Sequence, residues 1–122
     1  MATKNAALRN KMAEDFGTLF DGGKLIIRDT TTVLVEFTLG ATAFGSATAG
    51  EIEAAGLPIS AVAGATGTAD NAILESSTGT YQLTGLTVGT AAADVIINDT
   101  SVTDTQDAEL IAFTWTESDG IA

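Results

Sequence analysis

The chain of 122 residues has no cysteine, no histidine, one proline, one tryptophan and one tyrosine, and it has no Lys or Arg after position 28. Each shortage removes a class of function. Without cysteine there is neither a disulfide nor a thiolate nucleophile, and without histidine the commonest general base and transition-metal ligand is missing. Most catalytic chemistry is excluded on these grounds, so the residues read as those of a protein that is no enzyme and takes no cofactor. At about 150 residues per domain, the length allows one. Aromatic residues reach only 6% against 45% hydrophobic overall, so the core must be built from small and branched side chains around a few rings.

Charge is one-sided. Sixteen acids against five bases leave −11, and the two signs are segregated: residues 1–28 carry +2 and residues 29–122 carry −13. Nucleic acid is excluded as a partner of the body, because binding a polyanion needs basic groups that release counterions. The pattern fits either a solvated acidic surface or a basic arm that docks on an acidic neighbour. No run approaches the roughly 18 apolar residues that span a bilayer. Lys4, Arg9 and Lys11 are followed by Glu14 and Asp15, not by an apolar run ending in small residues, so neither a secretory signal nor a membrane partner is expected. The lack of cysteine is compatible with synthesis in the cytoplasm.

Leu8, Met12, Phe16, Leu19 and Phe20 recur at spacings of three and four, which predicts an amphipathic helix over residues 4–20. Thr3 is the expected N-cap and Asp21-Gly22-Gly23 the stop, while Gly17 weakens the helix by about 1 kcal/mol relative to Ala and allows a bend. The apolar stripe has to cover something: either the chain's own sheet, or a neighbouring subunit, in which case the helix is an assembly arm.

After Gly23 the period changes to two. Residues 24–29 (KLIIRD) and 33–39 (VLVEFTL) predict a hairpin, with Val33, Val35, Phe37 and Leu39 on one face and Leu34, Glu36 and Thr38 on the other. Residues 41–50 predict a connection anchored in the core by Phe44. Further strands are expected at 59–63, 71–76, 80–88, 94–98 and 109–116, with turns at 64–70, 77–79, 89–93 and 99–107. Loops this short predict an antiparallel sandwich or jelly roll, since parallel crossovers need a dozen residues each. The fold expected is mainly β: an N-terminal helical arm (1–23) followed by a β-sandwich or jelly-roll-like domain (24–122). Residues 26–40 and 73–89 share a pattern of aliphatic pair, acid, Ser/Thr turn and alternating strand, as two hairpins facing one another across a sandwich would.

Chemistry-bearing patterns each have a plain counterpart. Asp99, Asp104, Asp107 and Glu109 form an acidic loop, and loop carboxylates hold Ca²⁺; the spacing matches no EF-hand, and a solvated turn explains it. Residues 64–70 (GATGTAD) lack the Lys of a phosphate-binding loop and precede a strand. Glu51 and Glu53 are a carboxylate pair of the type glycosidases use, but a sugar cleft adds exposed rings, and only Trp115 and Tyr81 are available. Trp115 reads more simply as a core ring.

The order of features nevertheless resembles a known family. A short helix ends at Gly22-Gly23 and runs into LIIRD, followed by VLVEFTLG and AFGSATAG; later come AILESSTGTYQLTGLTVG, TAAADVIIND and a closing LIAFTW. This is similar to the small virion structural proteins of tailed bacteriophages, above all capsid cement or decoration proteins with a jelly-roll-like domain. The likeness runs over residues 8–115 and rests on turn motifs (GG, FG, STG). Residues 51–58 (EIEAAGLP) depart from it as an extra turn or short helix. The resemblance implies a virion protein, made in the host cytoplasm, that binds the major capsid protein between capsomers and works as a dimer or trimer. It places Lys4, Leu8, Arg9, Lys11, Met12, Phe16, Phe20 and Phe44 at the interface. A phage tail or baseplate protein and a carbohydrate- or receptor-binding β module are the rival readings.

Overall fold

Asn5 takes extended backbone, and its Oδ1 accepts from Leu8 N at 2.9 Å. That bond satisfies one of the amide groups a helix leaves unpaired at its start, and helix α1 (Ala6–Thr18) follows. The computed structural model describes residues 5–116; Lys4 and the expected cap Thr3 lie outside them. The helix ends at Thr18, two residues before the predicted end, and tight turns carry the chain on to Gly22 and Gly23. Gly22 adopts φ +69° and donates to Gly40 O at 2.8 Å, and at Gly23 a Cβ would collide with the Glu75 carbonyl.

Eleven strands follow among the described residues: β1 (Lys24–Asp29), β2 (Thr32–Thr38), β3 (Glu51–Glu53), β4 (Ile59–Val62), β5 (Gly67–Thr68), β6 (Asn71–Glu75), β7 (Gln82–Leu86), β8 (Val88–Gly89), β9 (Val95–Ile97), β10 (Ser101–Val102) and β11 (Asp107–Thr116). One sheet has the order β2-β1-β6-β7, all antiparallel. The second is built on β11, which has β9 on one side and β4 and β3 end to end on the other, with a short parallel pair β8–β9 at its edge. Strands β5 and β10 form a two-stranded ribbon. The fold is mainly β, with one N-terminal helix and antiparallel sheets in a β-sandwich-like domain. Leu25, Ile27, Phe37 and Leu74 from the first sheet and Val95, Ile97, Leu110 and Phe113 from the second belong to a single buried core.

Three details depart from the sequence reading. Alternation groups Val33 with Val35, Phe37 and Leu39 and Leu34 with Glu36 and Thr38, yet Val33 is 43% exposed while Leu34 is fully buried with Val35 and Phe37. The cause is a β-bulge: Ile27 pairs with Val35 and Arg28 with Val33, so Leu34 is the extra residue and the alternation changes phase there. The two similar hairpins do not face one another. They lie side by side in one sheet, with Ile26 opposite Ile73, Leu25 opposite Leu74 and Ile27 opposite Ala72, as a local two-fold axis through the Ile26–Ile73 pair requires. Residues 51–58, read as a turn or helix, contain β3, and the turns at 64–70 and 99–107 contain β5 and β10. Two-residue strands have too little alternation to be told from a loop by pattern.

Helix α1 packs on this body at Gly17, which is buried. A Cβ there would lie 3.1 Å from Phe44 Cβ and 3.2 Å from Ile52 Cδ1. Gly17 is thus a close-approach residue, not a bend. Gly17→Val should lower the unfolding free energy by about 1–3 kcal/mol, the usual cost of overpacking, read from urea midpoints at unchanged slope.

Candidate functional site

The surroundings of α1 hold most of the residues that the sequence singled out. Phe16 stacks on Trp115 with ring centroids 4.7 Å apart and 13° between planes, and it lies 5.0 Å from Phe20 and 6.4 Å from Phe44. Phe44 meets Phe113 edge-on at 5.5 Å. Such ring pairs contribute about 0.5–1.5 kcal/mol each beyond the area they bury. Phe20 and Phe44 are buried in the chain's own core, at 2% and 6% exposure. While the helix is docked these rings are covered by their own chain, which corrects their placement at a contact with a neighbour.

A second, polar stripe runs beside the apolar one. Asn10 Oδ1 accepts from Gly50 N (2.7 Å), Glu14 Oε2 from Ala47 N (3.1 Å) and Asp21 Oδ1 from Ala43 N (2.8 Å), while Arg9 Nη2 donates to Ala49 O (3.0 Å). The helix and its turn thereby pin residues 43–50, supplying partners for the Ala43, Ala47 and Gly50 amides and the Ala49 carbonyl. Arg9 faces its own chain here. The signal was present in the sequence: Asn10, Glu14, Gly17 and Asp21 are spaced four, three and four, one helical face adjacent to that of Phe16 and Phe20.

What α1 turns outward is a different set. Leu8 (48% exposed), Lys11, Asp15 and Leu19 (45% exposed) follow one another at spacings of three and four, and Lys11 Nζ is 3.1 Å from Asp15 Oδ1. Met12 is half-buried. Open grooves lie nearby among the described residues. One, of about 270 Å³, lies between α1 and residues 42–46, with Glu14 and Asp21 in its wall; another, of about 260 Å³, lies between β2 and β4.

Four further acids act as backbone acceptors. Asp29 Oδ2 accepts from Thr68 N, Asp94 Oδ2 from Thr87 N and Asp99 Oδ1 from Ser101 N, at 2.9–3.1 Å. Asp70 Oδ1 accepts from Thr30 N at 2.9 Å, while Asn71 Nδ2 donates to Asp70 Oδ1 and to Thr30 O. Together they hold Thr30 at φ +53°, an uncommon conformation for a β-branched residue, in the β1–β2 turn. The Thr30 amide first, then Asn71, holds the Asp70 carboxyl below its ordinary 3.8, with the Arg28 charge assisting and partial desolvation opposing. Among the described residues no group of three acids is placed to hold a metal ion. Glu51 and Glu53 are exposed on β3 and line neither groove. Trp115 is partly buried under Phe16, whereas Tyr81 is 51% exposed.

Comparison of the chain with protein-family models, curated proteins and solved structures finds no match.

Two outcomes follow from this geometry. Phe16→Ala should cost somewhat less than the about 3–5 kcal/mol of a fully buried ring, and should shift Trp115 emission to the red and steepen its quenching by acrylamide. For Asp70, a carboxyl with a folded pKa below its unfolded one adds stability above the unfolded value, and that stability is lost as pH falls through the folded one. Asp70→Ala should therefore lower the urea midpoint at pH 7, and the difference from the parent should shrink below pH 3.8. A difference that stays constant with pH would contradict the assignment.

Proposed function

We propose that this chain is a structural protein of a tailed-bacteriophage virion, a capsid cement or decoration protein that binds the major capsid protein between capsomers. The observation that carries the reading is where the carboxylates go: Glu14, Asp21, Asp29, Asp70, Asp94 and Asp99 all accept backbone amides. Groups that acid–base chemistry would use are spent on holding loops rigid, which suits a protein that works by shape. The resemblance of its sequence supplies the location, and repeated copies on a shell turn weak single contacts into a stable coat through effective concentration. Assembly as a dimer or trimer belongs to the same proposal.

The contact face is the outward stripe of α1, with Leu8 and Leu19 at its ends and the Lys11–Asp15 pair between them, beside half-buried Met12. Replacing both leucines by Glu should abolish co-sedimentation with purified shells while circular dichroism and Trp115 emission stay unchanged. Retained co-sedimentation would remove α1 from the contact. Labelling of the tail instead of the head would favour the tail or baseplate reading. A receptor- or carbohydrate-binding role draws support from exposed Tyr81 alone, since Trp115 is shielded, and a lone ring makes a poor stacking platform.

A further inference from the structure

We propose that the outward face of the sheet built on β11 binds a helix of another protein, one that is aliphatic in its middle and carries Lys or Arg at both ends. Ala108, Leu110 and Phe113 of β11 are buried in the core. Asp107, Glu109 and Thr114 alternate with them and point the other way. Register carries that face onto β3, where Glu53 is opposite Thr114 and Glu51 opposite Thr116, while Ile52 between them is buried. In the middle of β11 a bulge makes Ile111 the extra residue, since Leu110 pairs with Ile97 and Ala112 with Ile96. Ile111 is 43% exposed, next to half-buried Ala112 and its partner Ile96.

Along the strand the face thus runs acid, aliphatic, acid, with Asp107 and Glu109 at one end and Glu53 and Glu51 at the other. These carboxylates differ from the six that accept backbone amides. Among the described residues the side chains of Glu53, Asp107 and Glu109 have neither a hydrogen bond nor an ion pair, and that of Glu51 has only the Thr116 hydroxyl at 3.5 Å. The described cations are engaged elsewhere: Lys11 with Asp15, Lys24 with Glu36, Arg9 with the Ala49 carbonyl and Arg28 with Asn71. The face keeps its negative charge for a partner. Two copies meeting by this face would set like charges together, on chains of net charge −11, so complementarity selects a basic partner.

Shape selects a helix. Strand β11 is paired on both sides, so its backbone groups are used and the face offers side chains alone. An extended segment laid over the aliphatic centre would leave its own amides without partners there, whereas a helix pairs its amides internally and packs on a sheet by an apolar stripe. From Asp107 to Thr114 a strand rises about 23 Å, which a helix covers in about 15 residues. The partner therefore carries its basic residues about four turns apart, with Leu, Ile or Val between them. None of these residues belongs to the outward stripe of α1, and the two surfaces stand or fall independently.

The probes are three capped peptides of about 18 residues, offered to the whole chain. The first carries Lys in its first and last turns and Leu along one face between them, with Ala and Gln elsewhere. The second has Glu in place of Lys, and the third is the first with Pro at its centre, which breaks the helix. Amide NMR shifts should map the first peptide to Ile111, Ile96, Glu53 and Glu109, and its helix content should rise on binding. It should bind about tenfold or more tighter than either of the others. Ile111→Ser, and separately the double variant Glu53→Lys with Glu109→Lys, should each weaken it several-fold with unchanged circular dichroism, the charge variant more at low salt than at high. The proposal is overturned if the Lys-ended peptide does not bind or maps elsewhere, if the Glu-ended or Pro-broken peptide binds equally well, or if either variant binds as the parent does. It is overturned too if the chain self-associates in solution and Ile111→Ser abolishes that, because the occupant is then a second copy.

Discussion

The contact between α1 and the body at Phe44 and β3 rests on the absence of one side chain. At Gly17 the helix backbone comes within 3.1–3.3 Å, measured from where a Cβ would stand, of Phe44 and Ile52. That approach lets Phe16 reach Trp115 and Phe20, and it brings Asn10, Glu14 and Asp21 level with the amides of residues 43–50. The rings supply the apolar gain, at about 25 cal/mol for each Å² removed from water. The polar stripe fixes direction and register, and spares the connection the cost of unpaired amides. Filling position 17 would separate both sets of contacts together.

A domain of this size buries a smaller share of its surface than a large one does, so its stability depends on using each element fully. The chain does so with few rings and many short side chains. Carboxylates that would repel one another if left free are turned onto backbone amides, where the negative charge strengthens the hydrogen bond. This explains how a chain of net charge −11 holds its long connections without disulfides. It also leaves the outer stripe of α1 uncommitted, where Leu8 and Leu19 stand beside the Lys11–Asp15 pair.

Much of this was legible beforehand, for physical reasons that differ from place to place. The helix, the β1–β2 hairpin and the anchoring of Phe44 followed from periodicity and turn chemistry, because each is decided by residues close in sequence. The phase change at Leu34 was not, because a bulge is set by pairing with β1 and leaves no mark in the alternation of β2 itself. Gly17 was read as a helix weakener, since propensity concerns the isolated helix, whereas tertiary contact with Phe44 and Ile52 decides its role. The contact residues divided for a similar reason. A stripe containing Phe16 and Phe20 is apolar whether it faces its own sheet or a neighbour, and only the fold shows that Leu8, Lys11 and Leu19 are the ones left outside.

The central claim is that α1 is an integral layer of the domain, docked by Gly17, Phe16 and the Asn10, Glu14 and Asp21 acceptors. Native-state amide hydrogen exchange tests it most directly, because it reads the opening free energy of each element separately. The account predicts that amides in the second half of α1 are protected to nearly the same degree as those of β11, and that both lose protection together in mild denaturant. Free exchange along α1 while β11 stays protected would contradict it, and would make the helix a detachable arm.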